Sequence, residues 1–339
     1  MTYKNIINPL FFRCNYLGNP IVSLTKEQRK ALNRFREKLT DGVYSFEKAS
    51  CLCGEYNGKL IAQRDRYALS VNTLLCRSCG VMWQNPRMTE ESLAEFYEKD
   101  YRAIYSGHEQ ATDDFFMDQV QHGKVIYDFV ASCIETTQNP TVFEVGCGAG
   151  GVLAPFQQAG WRAFGCDVGN DYLRRGRVGG LVLEHGDVNI LARHGRADLV
   201  ILSHVLEHLP YPRNMLEQLA KLVSDRGYIY VELPGIYNIH RTYGDFLLFL
   251  QNAHLYHFTL ATLVSLMAQA GFILVKGNEY IKAVFRKNGE APSVSTLNQY
   301  KKILVYLYFM EVRRLSARLI RNIFGDNLVD NVKRGQGAQ

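Results

Sequence analysis

Five side chains suited to moving a proton fall in two short stretches. His204, Glu207 and His208 lie in S-H-V-L-E-H, and His254 and His257 lie in N-A-H-L-Y-H-F. Imidazole exchanges a proton near neutral pH, and a carboxylate beside it can orient the ring. The two stretches therefore offer a general base for an alcohol or a carbon acid. His204 and His254 are the members expected to face a substrate. Glu207 and His208 read equally as a structural turn, with metal assistance as a weaker alternative, and His257 beside Phe258 reads as a packed ring. Tyr237, Asn238, His240 and Tyr243 are expected to line the substrate pocket.

A second constellation is Cys51 and Cys53 in C-L-C-G-E with Cys76 and Cys79 in L-C-R-S-C-G. Cysteine pairs followed by glycine form knuckles, and two knuckles make the closed four-sulfur site typical of structural zinc. The first pair has one intervening residue where two are usual. The alternative is a reduced, packed cysteine cluster. Four thiolates leave no open position for a substrate, so neither reading makes these residues catalytic.

The third constellation is T-V-F-E-V-G-C-G-A-G-G-V-L from Thr141. An apolar run ends at Glu144 and Val145. Gly146, Gly148 and Gly150 follow at alternate positions, with Cys147 as a small residue in the turn. Glycine lets the backbone approach a ligand, and the helix that follows points unpaired N–H groups at it. Asp167 and Val168 end the next strand, where a carboxylate can accept ribose hydroxyls. Asp187 and Val188 follow the third strand, at the expected adenine edge; Asp187 reads alternatively as a turn cap. Ser203 ends the fourth.

The elements that must hold these residues alternate. Strands are expected over 141–145, 162–166, 181–184, 198–203, 228–233, 272–276 and 281–286, with helices between, including 212–222 and 260–270. Such alternation implies right-handed crossovers and a mainly parallel sheet. Gly277-Asn278 joins the last two strands as a turn, which makes the final strand antiparallel. Pro155 is expected to shorten or kink the helix after the glycines. Upstream, Thr25 caps a helix to about Leu39, Thr89 starts another, 101–114 reads as a loop near the active site or a linker, and a helix over about 115–134 leads into the first strand.

Together, Glu144 with the glycines, Asp167, Asp187 and the segment from Ala197 to Pro212 resemble the class I S-adenosylmethionine-dependent methyltransferases, over about 115–286. The resemblance implies an α/β, Rossmann-like seven-stranded sheet with an antiparallel last strand. It implies that Gly146–Gly150 pack on the cofactor, that Glu144 holds the loop and the amino group, that Asp167 takes the ribose, and that Asp187 and Val188 frame the adenine. The cysteine pairs followed by W-Q-N-P-R-M-T-E-E-S-L-A-E-F-Y resemble the zinc-bearing front of methyltransferases from sugar, polysaccharide and antibiotic pathways. The short first cysteine gap departs from that pattern, as does the lack of a second α/β domain after Arg286. The implied activity is methyl transfer to a small, sugar-like acceptor, at oxygen more than carbon. The alternatives are an RNA methyltransferase and a catalytically silent scaffold.

The expected organisation is an N-terminal arm and helix (1–45), a small zinc-binding module (46–100), a linker and helix (101–139), the cofactor-binding domain (140–290) and a basic amphipathic C-terminal helix and tail (291–339). Of the net charge of +6, most lies after residue 296, where eight lysines and arginines face three acids. The near-neutral body argues against a broad nucleic-acid surface. No apolar run reaches the roughly 20 residues of a membrane span, and the first residues lack a leader pattern, so the chain is expected to be cytoplasmic. The tail helix is expected to pack on the domain or a second copy, with contact at the inner membrane surface as the alternative.

Overall fold

Apolar strands alternating with amphipathic helices give a layered α/β body, and shorter antiparallel strands precede it. The computed structural model describes residues 14, 18–107, 110–135, 137–288 and 298–324. Most of the expected N-terminal arm, Leu297 and the basic pair Lys333 and Arg334 lie outside the described residues.

The front begins with α1 (Lys26–Thr40), capped by Thr25, whose hydroxyl accepts from the Gln28 N–H while Gln28 reaches back. This reciprocal pairing satisfies two N–H groups of the first turn. Then come β1 (Phe46–Glu47), β2 (Gly58–Arg64), β3 (Ser70–Cys76), β4 (Met82–Gln84) and β5 (Arg87–Met88). Thr89 caps α2 (Glu90–Phe96). A π-turn over Tyr97–Tyr101 and α3 (Arg102–Tyr105) continue it, so the start of the expected 101–114 loop is helical. Next is α4 (Asp113–Ala131).

The body comprises β6 (Thr141–Val145), α5 (Leu153–Gln158), β7 (Arg162–Asp167), α6 (Asn170–Val178), β8 (Val182–His185), β9 (Ala197–Ser203), α7 (Pro212–Leu222), β10 (Val223–Glu232), α8 (Ile239–Thr242), α9 (Phe246–Phe249), β11 (Tyr256–His257), α10 (Leu260–Gln269), β12 (Phe272–Gly277), β13 (Lys282–Lys287) and α11 (Tyr300–Phe324). Seven strands form one sheet in the order β12-β13-β10-β9-β6-β7-β8. The final strand β13 is antiparallel to both neighbours, as its turn chemistry implies, and inserts between β10 and β12. The chain leaves β6 toward β8 on one side and crosses to β9 on the other. The crevice at that reversal, beyond the carboxyl ends of β6 and β9, is where open α/β sheets bind ligands. Pro155 falls in the first turn of the six-residue α5, where a missing N–H costs no helical bond.

The front is not a separate packing unit. β2, β3 and β4 form an antiparallel sheet whose edge is completed by β11, which begins 174 residues after β4 begins, through the pairing of Tyr256 with Trp83 and His257 with Met82. One apolar cluster runs from Phe35, Trp83 and Phe96 through to Phe258 and Leu263. Another joins Ile61, Leu75 and Met82 to Ile236, Phe246 and Phe249, and to Ile303, Leu307 and Met310 of α11. The inner face of the tail helix is thus buried. Tyr237 meets Tyr306 edge-on at 5.3 Å, His240 Nδ1 lies 3.0 Å from the Tyr306 hydroxyl, and Tyr243 packs on Phe249. Of the expected pocket residues, Tyr237 and His240 thus form part of the seat of α11.

Candidate active site

Backbone geometry builds the first half of the site. Gly146, Gly148 and Gly150 all have positive φ, of 69°, 57° and 77°, in the region that favours glycine. A Cβ at Gly150 would lie 2.7 Å from Leu183, so the loop also needs glycine for space. Asp167, at the end of β7, is buried; its Oδ2 accepts from the Gly148 N–H at 2.8 Å and its Oδ1 from the Gly169 N–H at 2.7 Å. Each carboxylate oxygen has a further lone pair for a ligand hydroxyl. Arg102 lies 3.8 Å from Asp167 Oδ2 with its guanidinium over the Tyr172 ring. From α4, the Gln119 amide donates to the Cys147 carbonyl and accepts from the Gly151 N–H, both at 3.2 Å. Gln119 and Arg102 belong to no motif that marks them in the sequence.

Glu144 departs from its implied role of holding the loop, which falls to Asp167 and Gln119. It is buried, and its Oε2 has no hydrogen-bond partner. Burial, with Asp167 nearby, raises its pKa well above the carboxylate range. A buried acceptor without a donor is costly, and a cofactor amino group is a donor of the kind it lacks. Cys147 is fully buried against the Gly165 backbone, and burial raises its thiol well above the usual range, so it is packing and not a nucleophile. Val168 is exposed, and its carbonyl lies 3.1 Å from His185 Nε2. Asp187 caps the short 3₁₀ turn Val188–His194 by accepting from the Asn189 N–H, and Val188 is buried in the core. The donor set and the glycine cradle fit S-adenosylmethionine: Gly146–Gly150 would hold its methionine part, Glu144 its amino group and Asp167 its ribose.

Side chains build the second half. Ser203 ends β9, and His204 follows with φ of 55°, a left-handed backbone uncommon for a non-glycine residue. Its N–H donates to the Glu232 carbonyl at 2.8 Å. Val205 packs on Gly146, where a Cβ would meet its methyl at 2.7 Å, so the turn after β9 abuts the glycine loop. Glu207 is 1% exposed, and neither carboxylate oxygen has a hydrogen-bond partner. Its Oε1 has His204 Nδ1 at 3.4 Å, His254 Nε2 at 3.9 Å and His208 Nε2 at 4.0 Å. Three rings thus converge on one buried carboxylate.

Their electrostatics differ. The protein packed around His204 opposes its charge, yet the contact with Glu207, aided by Glu232, outweighs that and raises the pKa. Burial lowers His208 and takes His254 well below the ordinary value. It pushes His257, packed against Phe249, down to about 3. His204 is also the exposed ring, with half its side chain open. Next to it, burial alone would raise Glu232, but His122 at 2.9 Å, with His204 and Lys282, brings it down to about 2.

The cluster is held from the front of the chain. The Tyr97 hydroxyl lies 2.8 Å from His208 Nδ1. Gln84 Nε2 donates to the carbonyls of Asn252 and His254, both at 2.9 Å. Arg66 donates to Gln251 Oε1 at 2.7 Å. The buried Asp65 accepts from the N–H groups of Tyr67, Leu69 and Asn252; burial raises it to about 6 against those bonds. The loop bearing His254 is therefore fastened by the antiparallel front sheet.

The four expected metal ligands come together. Cys51 and Cys79 sulfurs are 3.5 Å apart, as are those of Cys53 and Cys76, and all four lie within 4.8 Å of one another. A tetrahedral zinc with sulfur at about 2.3 Å places its ligands about 3.8 Å apart. The short first knuckle works because Gly54 turns at φ 89° and returns its N–H to the Cys51 carbonyl. Gly80, at φ 90°, does the same for Cys76.

The sequence from 119 to 276 matches a family model described as a methyltransferase domain. Among characterised relatives, the C-methyltransferase NovU of Streptomyces niveus is 26% identical over 212 residues, 60% of this chain and 47% of that protein. A ubiquinone biosynthesis O-methyltransferase of Hydrogenovibrio crunogenus is 26% identical over 122 residues, 34% of this chain and 48% of that one. The matches thus span about half the length of these relatives. Among solved structures, the 1,6-didemethyltoxoflavin-N1-methyltransferase of Burkholderia thailandensis is 17% identical, with a TM-score of 0.44 over 64% of this chain and 96% of that one. Magnesium protoporphyrin IX methyltransferase of Synechocystis PCC 6803 is 19% identical, with a TM-score of 0.40 over 58% of this chain and 98% of that one. The stretch from residue 119, within α4, through the glycine loop and the histidine cluster to residue 276, within β12, is thus similar to a methyltransferase domain.

Proposed function

We propose that this protein transfers a methyl group from S-adenosylmethionine to a hydroxyl of a small, sugar-like acceptor, with His204 as the general base. The observation that carries this reading is the pairing of His204 with Glu207 at the carboxyl edge of β9, directly beside the glycine loop. S-adenosylmethionine supplies an activated methyl group and no base. The protein must remove the acceptor's proton and hold the acceptor in place. With Nδ1 turned to Glu207, His204 has Nε2 left for the acceptor hydroxyl. Glu207 orients the ring and favours its protonated form, so the proton has a stable place to go. His208 and His254, low in basicity, surround the same carboxylate and keep it in position. The four cysteines hold a structural zinc that braces the front sheet, and through it the His254 loop.

The methyltransferase relatives support the activity, and the resemblance to sugar-pathway methyltransferases supports the acceptor class. The test is incubation with methyl-labelled S-adenosylmethionine and a panel of nucleotide sugars, glycans and RNA, followed by mass spectrometry. Label on a sugar hydroxyl is the expected result. Label on RNA alone, or no binding of the cofactor by calorimetry, would overturn the reading.

A further inference from the structure

The tail helix α11 has a buried face and an outward one, and the outward face is the unusual one. Residues 305, 309, 312, 316 and 319 fall on one side of a 3.6-residue repeat. Val305, Phe309 and Leu319 are 57–67% exposed, with Val312 beside them and Leu315 at the margin. This is an apolar stripe, interrupted by Ser316, on the side opposite Ile303, Leu307 and Met310, which are buried in the body. Lys302 and Arg313 flank the stripe on one side, Arg318 lies farther round the helix past Leu315, all exposed, and Lys301 stands at its start. The one acid among the helix residues, Glu311, is fully buried and takes Arg314 at 3.0 Å. The outward face thus combines apolar side chains with cations and has no anion.

We propose that this face binds the surface of an anionic phospholipid bilayer, with α11 lying in the plane of the interface. Charge complementarity decides the partner. A second copy of the helix would bring cations against cations, and a nucleic acid would leave the apolar stripe in water. A bilayer with anionic headgroups takes both: acyl chains receive Val305, Phe309, Val312 and Leu319, and headgroups receive the flanking cations. The helix lies along the membrane and does not cross it, since no described helix is long and apolar enough to span one. The seat of α11 on Tyr237, His240 and Phe246 is what keeps this stripe turned outward.

The test uses the full chain in vesicle flotation, with phosphatidylcholine alone and with phosphatidylcholine mixed with phosphatidylglycerol. The expected result is flotation with the anionic vesicles, weakened by salt, and none with the neutral ones. The double variant Phe309→Ser, Leu319→Ser should lower partitioning by about tenfold or more. The triple variant Lys302→Gln, Arg313→Gln, Arg318→Gln should lower it comparably and remove the salt dependence. These positions are exposed, so both variants should bind S-adenosylhomocysteine as the wild type does, which checks folding independently. Three outcomes would overturn the proposal: no flotation of the wild type at low salt, equal flotation with neutral vesicles, or a dimer in sedimentation that the double variant abolishes while vesicles are not bound.

Discussion

The glycine cradle and the histidine cluster occupy neighbouring positions on one sheet edge, yet they are held in opposite ways. The cradle is backbone: three positive-φ glycines, their N–H groups and one carboxylate from the adjacent strand. Apart from Gln119 and Arg102, it is complete within residues 144–169. The cluster is side chain, and its supports come from far along the chain. Tyr97 reaches His208 across 111 residues, Gln84 reaches the His254 carbonyl across 170, and Asp65 reaches Asn252 across 187. A cradle of this kind needs a strand, a turn and a helix. A cluster of this kind needs the front sheet in place.

The strongest way to break that contrast is to remove the brace. If the four cysteines hold zinc as proposed, Cys76→Ser should abolish its binding, whose free energy in such sites is on the order of 10 kcal/mol and belongs to folding. β3 ends at Cys76 and pairs with β4, which pairs with β11, so the disturbance runs to His257 and the His254 loop. Turnover is expected to fall by roughly 10³-fold or more, as for the loss of an entire acid–base constellation. Cofactor affinity, measured by calorimetry, should stay within about tenfold, the worth of one hydrogen bond, because the Gly148 and Gly169 N–H groups are held by Asp167 and the loop by Gln119. Parallel loss of both would show that the two regions are one cooperative unit.

Next in size is the base itself. His204→Ala should lower turnover by roughly 10²–10⁴-fold with unchanged cofactor affinity. A larger loss from His254→Ala under the same conditions would move the base to His254 and make His204 a positioning residue. On the other side of the comparison, Asp167→Ala should weaken S-adenosylhomocysteine binding by roughly 10–100-fold, the worth of charge-assisted hydrogen bonds to one carboxylate. It also releases the Gly148 and Gly169 N–H groups, so the loop should exchange amide hydrogens faster. Unchanged affinity would remove Asp167 from the cofactor site.

The same contrast explains what the sequence makes legible. The sheet with its reversed last strand followed from alternation and from Gly277-Asn278, both local signals. Asp167 and the glycines followed from position at strand ends. The partners that hold the cluster did not. Asp65, Arg66 and Gln84 sit in an ordinary alternating hairpin, and nothing local distinguishes a carboxylate that accepts three backbone N–H groups from a solvated one. Tyr237 and His240 have the composition of a pocket wall, yet both contact Tyr306 of α11, a partner 66 residues past His240 that nothing local announces. Glu144 was legible as a cofactor residue, whereas its freedom from the loop was not, because two other side chains had taken that task.

The finest test concerns how Glu207 tunes His204. A base must be neutral to accept a proton, so turnover should rise with pH through the His204 pKa. The contact with Glu207 raises that pKa from the ordinary histidine value, so the acid limb should lie above the limb of an unperturbed histidine. Glu207→Gln removes the negative charge and keeps the shape. The protonated ring then loses its stabilisation while burial still opposes it, and the limb should move to lower pH. On the alkaline plateau the variant should retain most of its turnover, down by roughly tenfold at most, because a weaker base still operates when neutral. A limb that stays in place would show that the titrating group is not His204, and that the buried carboxylate serves the packing of three rings and not the basicity of one.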